Sequence, residues 1–167
     1  MIAGSFVEER LDKGVEGDAE LFRVLYPPLR RLAAVVRPAE VEPDDLVQEA
    51  VERTIRNRPL SELDNPSAYL SRVILNLASE HRRRLGRARR SGVRLRPDMV
   101  VDQFYPSDLD DLFRLPPLQR AILFLGEVEG LTHADIAGQL GMSVHAVAKA
   151  SQRARKRLRV ELTEEMS

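Results

Sequence analysis

An all-α chain of two small helical domains joined by a linker, the second containing a helix-turn-helix, is what this sequence predicts, on three observations. Apolar residues recur at steps of three and four through most of the 167 residues, and no segment sustains the period-two alternation of a strand. Charge is segregated between residues 82 and 111 into a basic and then an acidic block, where the helical period is lost. Near the C-terminus a short amphipathic stretch, a glycine and a serine lead into a second stretch rich in basic residues.

Phe22, Leu25, Leu29, Leu32 and Val36 carry the first pattern. Pro27 and Pro28 are expected to break or kink it into two pieces, because proline lacks the amide hydrogen and crowds the carbonyl four residues back. Pro43 opens the second pattern, whose apolar face holds Leu46, Val47, Ala50, Val51, Thr54 and Ile55 and whose polar face holds Asp45, Gln48, Glu49, Glu52 and Arg56. After a loop from residue 57 to 64, Asn65 can cap a third helix and Pro66 can take its first position. Tyr69, Leu70, Val73, Ile74, Leu77, Ala78 and His81 lie on its buried side. Arg72, Asn76, Ser79 and Arg83, at steps of four, three and four, form a polar stripe on the opposite side, and the helix runs on into Arg82, Arg83 and Arg84.

Eight Arg and no acid stand between residues 82 and 96, and five Asp and no base between 98 and 111. With the Gly and Pro of residues 86–107, this reads as a linker that starts with a short basic helical extension, dividing the chain into residues 1–90, 91–107 and 108–167. The acidic block is expected to be able to fold back on the basic one. A short acidic turn at residues 108–112 starts the second half, Pro116 and Pro117 introduce a helix to about Glu129, and Gly130 stops it.

Between Leu131 and Arg159 the helix-turn-helix follows. Thr132 and Asp135 have the spacing of a capping box; Ile136, Ala137 and Leu140 form the buried face of a short first helix. Gly141 permits the sharp turn, Met142 fills the corner and Ser143 caps the second helix. There Val144, Val147, Ser151, Ala154 and Leu158 are expected to point inward, while His145, Lys149, Gln152 and Lys156 share an outward stripe beside Arg153 and Arg157. Outward donors on such a helix suit a major groove, where they can read base edges or bind phosphates.

Composition narrows the function classes. Lys plus Arg and Asp plus Glu number 26 each, so any nucleic-acid surface is local rather than global. The absence of Cys excludes disulfides, thiolate metal sites and cysteine nucleophiles. His81, His133 and His145 are not at metal-ligand spacing, and no cofactor, metal or catalytic residue is expected. No apolar run reaches the ~18 residues that span a bilayer, and the N-terminus lacks a secretory pattern, so a cytoplasmic protein without membrane insertion is expected.

At these residues the sequence resembles a known family. The run G-L-T-H-A-D-I-A-G-Q-L-G-M-S-V-H-A-V, preceded by L-P-P-L-Q-R and followed by R-A-R-K-R-L, resembles region 4 of bacterial RNA polymerase sigma factors of the extracytoplasmic-function (ECF) group. D-D-L-V-Q-E-A at residues 44–50 resembles region 2.2, and N-P-S-A-Y-L-S-R-V-I-L-N-L-A-S-E-H-R-R-R at residues 65–84 resembles regions 2.3 and 2.4. The resemblance implies a non-enzymatic factor that binds polymerase core and directs promoter-specific initiation.

Asp45, Gln48, Glu49 and Glu52 would then dock on the clamp coiled coil of the largest polymerase subunit, and region 4 would meet the flap of the second subunit. Arg72, Asn76 and Ser79 would face the melted minus-ten element, Asn76 as a base contact, with Arg82, Arg83 and Arg84 on phosphates. Residues 61–65 would belong to the loop that receives a flipped base. Ser143, His145, Lys149, Gln152, Arg153 and Lys156 would meet the minus-thirty-five element. An anti-sigma factor that masks these surfaces is implied as well.

The chain departs from the family pattern in places. Thr54 and Ile55 replace a small residue and Trp, read as a core substitution; Tyr69 is the aromatic at the start of the melting helix, placed for stacking or for the core. Ala148, Ala150 and Ser151 stand where many members carry basic residues and Leu. The phrasing of residues 65–70 and 131–137 is similar to the iron-starvation branch. Two other readings are a free-standing helix-turn-helix regulator with an N-terminal dimerisation or sensing bundle, and a metal-dependent nuclease using Asp44, Asp45 and Glu49.

Overall fold

A computed structural model describes the backbone of residues 3–92 and 110–165 and the side chains of residues 16–92 and 112–160. Every regular element among the described residues is helical: α1 (Ala3–Val36), α2 (Pro43–Ile55), a 3-10 turn (Leu60–Glu62), α3 (Pro66–Arg90), α4 (Asp110–Arg114), α5 (Pro117–Leu123), α6 (His133–Leu140) and α7 (Val144–Glu165). The expected fold-back of the acidic block and the linker proper lie outside the described residues.

Local chemistry accounts for most boundaries. Pro43 and Pro66 stand at helix starts where their missing amide hydrogens cost nothing, and the Asn65 side chain accepts from Ala68 N at 3.0 Å. Asp18 of α1 accepts from the amides of Leu60 and Ser61, both at 2.9 Å, and so ties the loop after α2 to the first helix. α5 runs on as π-helix through residues 124–128 and closes with Glu129 N donating to Phe124 O and, beyond the left-handed Gly130, Leu131 N donating to Leu125 O.

The expected break at Pro27 and Pro28 is corrected: α1 is one helix through both prolines. They remove the amides that would have bonded the carbonyls of Arg23 and Val24. All four residues are on the exposed side of α1, where water can satisfy those carbonyls, while Leu29, Leu32, Ala33 and Val36 beyond them are buried and hold the helix in register.

α1, α2 and α3 pack around Leu32, Val36, Leu46, Val47, Ala50, Leu70, Ile74 and Leu77. The second half is not a separate island. Ala121, Ile122 and Leu125 of α5 and its extension, Ile136, Ala137 and Leu140 of α6, and Val147 of α7 belong to the same continuous apolar cluster. α3 contributes more than the sequence stripe suggested, because Ser71 and Leu75, about 100° around from it, are also buried and α3 meets both α5 and α6. Ile55 and Val144 are corrections in the other direction: each is about half exposed, Ile55 at 49% and Val144 at 50%, because each sits in a terminal turn of its helix.

Candidate nucleic-acid interface

The helix-turn-helix follows its local rules closely. Asp135 N donates to Thr132 Oγ1 at 3.2 Å and Thr132 N donates to the Asp135 carboxylate at 3.1 Å, completing the capping box. The Thr132 hydroxyl and amide hold the Asp135 carboxyl below its usual range. Gly141 ends α6 at φ 62°, Met142 N donates to Ala137 O at 2.9 Å, and Ser143 Oγ accepts from Ala146 N at 3.1 Å. Val147, Ser151 and Ala154 are buried. His145, Lys149, Gln152, Arg153 and Lys156 are all exposed, as is Ser143, whose hydroxyl is used by the cap. Arg157 reaches Gln119, and Arg155 pairs with Glu127.

On α3, Arg72, Asn76, Arg82, Arg83 and Arg84 are exposed. Ser79 is half-buried and donates its hydroxyl to Leu75 O at 2.9 Å, which leaves its oxygen as an acceptor only. Tyr69 is half-buried, packs against the core, and has guanidinium groups of Arg58 and Arg72 at 5.7 and 5.9 Å from its ring centre, so it serves the core and a cationic surface at once. Further along, Ser79, Arg82, Arg83, Arg87 and Arg90 face Pro116 and Pro117 across an open groove of about 430 Å³. Four guanidinium groups on one rim suit a polyanionic backbone.

The acidic face of α2 divides. Asp45 and Glu52 are exposed, and Gln48 donates to Glu52 at 3.3 Å. Glu49 turns inward, bonded to His81 at 2.9 Å and Arg53 at 2.8 Å. Asp44 is held by Tyr26 and by Arg30, so it and Glu49 are both committed to side chains of this chain rather than gathered around a common point. Burial pushes the Glu49 carboxyl up, but the His81 hydrogen bond and charge, together with Arg53, outweigh it and leave it below its usual range. A carboxylate with a lowered folded-state pKa adds stability above its unfolded value and loses it as pH falls. Glu49→Gln is therefore expected to show a smaller drop in urea midpoint between about pH 5 and about pH 3 than the parent chain, a window in which His81 stays protonated; an equal drop would show that other carboxylates carry the acid sensitivity.

Arg120 is the residue that sequence reasoning missed. Its side chain is only 2% exposed and donates from Nη1 to Arg37 O at 3.0 Å and from Nη2 to Val36 O at 2.9 Å, satisfying carbonyls at the C-terminal end of α1. Phe113 lies against the guanidinium at 5.3 Å. Burial, then the nearby charges of Arg82 and Arg37, pull its pKa down to about 10. Nothing in the local pattern L-P-P-L-Q-R marks it, because its acceptors are more than eighty residues away in the chain. At the other end of the same junction the Arg72 side chain lies over the turn of the helix-turn-helix: a Cβ added to Gly141 would stand 2.5 Å from Arg72 Nη1.

No described helix is long and apolar enough to cross a membrane. Comparison with known proteins matches residues 21–88 to the family profile "Sigma-70 region 2" and residues 112–158 to "Sigma-70, region 4". The chain is similar to the RNA polymerase sigma-E factor of Streptomyces coelicolor, at 32% identity over 86% of this chain and 84% of that one. It is similar to the ECF RNA polymerase sigma factor SigM of Mycobacterium tuberculosis at 28% identity, over 90% of this chain and 81% of the relative. Among solved structures, the sigma factor RpoE of Bartonella quintana, in complex with the anti-sigma factor NepR, shares the fold with a TM-score of 0.61 at 22% identity, over 87% of this chain and 96% of that one.

Proposed function

The chain belongs to the sigma-70 family of RNA polymerase sigma factors, in its ECF group, and from that premise we propose how its two halves divide the work. An ECF sigma factor binds RNA polymerase core and directs promoter-specific transcription initiation. Residues 1–90 form the unit that docks on core and melts the minus-ten element, residues 91–107 link, and residues 108–167 bind the minus-thirty-five element. The observation that carries this division is the pairing of two separate exposed donor faces in one chain, Asn76 with Arg82, Arg83 and Arg84 on α3 and the His145 to Lys156 stripe on α7.

Asn76 reads a base that has left the stack, and the arginines offset part of the unstacking cost through the phosphates. Arg72 and Ser79 flank Asn76 on the same stripe. His145, Lys149, Gln152, Arg153 and Lys156 face the duplex, with Ser143 presenting the helix N-terminus to a phosphate. Asp45, Gln48 and Glu52 dock on the clamp coiled coil of the largest polymerase subunit, with Glu49 holding α2 against α3 through His81 behind them. Region 4 meets the flap of the second subunit. The solved relative in complex with an anti-sigma factor supports a masking partner for this chain too. The phrasing of residues 65–70 and 131–137 supports the iron-starvation branch, and the protein acts in the cytoplasm.

Run-off transcription with core polymerase over a genomic promoter library tests the whole reading, with transcripts from a defined subset expected. Purified chain alone should bind promoter duplex poorly until core is added; tight binding alone would favour the free-standing regulator. Replacing Asp45 and Gln48 together with Ala is expected to weaken core binding on the order of tenfold in a fluorescence-anisotropy titration. Unchanged affinity would move the docking surface elsewhere.

A further inference from the structure

Between the end of α1, the far part of α3 and α4–α5 lies a cleft of about 310 Å³ whose wall includes Arg37, Arg82, Arg89, Arg120, Glu40 and Phe113. Four guanidinium groups face one carboxylate there, and that carboxylate is already paired with Arg89. Two of the four are deeply buried, Arg37 at 8% exposure and Arg120 at 2%, and the Nε of each has no hydrogen-bond partner among the described residues. Their terminal nitrogens donate to backbone carbonyls, Arg37 to Ala39 O and Val41 O and Arg120 to Arg37 O and Val36 O, but neither charge meets a carboxylate among the described residues, where a buried cation is ordinarily paired. The lowered pKa of Arg120 reflects the same uncompensated charge, since burial and its arginine neighbours disfavour its protonated form.

We propose that this cleft is a binding site for a small multivalent phosphoryl anion, held at the mouth by Arg82 and Arg89 over the buried charges of Arg37 from the first half and Arg120 from the second. The exposed Arg89 and Arg82 supply charge-assisted hydrogen bonds at the mouth, Phe113 closes the apolar side, and the two buried guanidinium groups supply the field that selects a dianion over chloride. The site is built by both halves, so the anion binds the arrangement in which α5 rests on the end of α1 and stabilises it by mass action. This goes beyond promoter recognition and does not depend on it.

Isothermal titration with inorganic pyrophosphate at constant ionic strength tests the site on the full chain, without polymerase. A saturable one-to-one isotherm is expected, with a matching rise in Tm. Arg89→Gln, at an exposed position that should not disturb folding, is expected to weaken binding roughly tenfold, because it removes one charge-assisted contact and leaves Glu40 unpaired in the cleft. Arg90→Gln, which lines the neighbouring groove and not this cleft, is expected to leave affinity within about twofold. Equal losses in the two variants would show only a diffuse basic surface. No saturable binding, with the cleft's charge met by carboxylates of the chain itself, would overturn the proposal, as would an Arg89→Gln chain that binds like the parent.

Discussion

Ile122→Ala is expected to lower the stability of the whole chain by about 2–5 kcal/mol and its Tm by roughly 5–15 °C. Ile122 is 1% exposed and lies in the apolar cluster that also holds Leu29, Leu46 and Ile74. Deleting its methyl and methylene groups removes transfer free energy and leaves a cavity that helices tethered on several sides cannot collapse around. The informative part is where the loss is felt. Tyr26 and Tyr69 both belong to the first half, so in a Tyr105→Phe background tyrosine fluorescence reports on that half while circular dichroism reports on both. A shared core requires the two signals to fall together at the lowered temperature. A first half that keeps its parental tyrosine transition while part of the helical signal is lost early would show that the halves unfold independently.

Asn76→Ala is expected to slow open-complex formation at a cognate promoter by roughly five- to a hundredfold, the range that ~1–3 kcal/mol of lost base contact implies. Asn76 is exposed on α3 and makes no side-chain hydrogen bond within the described chain, so its amide can offer both donor and acceptor to an extruded base and its removal should not perturb the fold. Fluorescence of 2-aminopurine placed in the minus-ten element follows melting directly, and binding to core polymerase should be unchanged. Weakened core binding in this variant would reassign the residue to docking.

How much of this was legible in the sequence follows from the range of each interaction. Caps and stops lie within four residues of what they cap, so the roles of Asn65, Thr132, Gly141 and Ser143 are legible in the sequence. The buried stripe of α3 was legible through Leu70, Ile74 and Leu77, since one neighbouring layer imposes one face. Ser71 and Leu75 were not, because they are covered by helices that a linear pattern cannot place against α3. The same applies to Arg120, which reads as an ordinary surface cation until its two carbonyl acceptors are brought to it. The continuity of α1 through Pro27 and Pro28 depended on which side of the helix faced water. The donor stripe on α7 was visible from spacing alone, whereas Glu49's inward turn depended on His81 thirty-two residues on.

The contact of Arg72 with the turn at Gly141 has a consequence in base pairs. Elements named for positions ten and thirty-five lie about twenty-five steps apart, or roughly 85 Å of duplex at about 3.4 Å per step. With Arg72 against the turn at Gly141, the two donor faces stand much closer together than that. With the roles proposed for α3 and α7, the arrangement seen here can hold one promoter element at a time, and reading both requires the junction around Arg120 and Gly141 to part, with residues 91–107 as the tether that sets the reach.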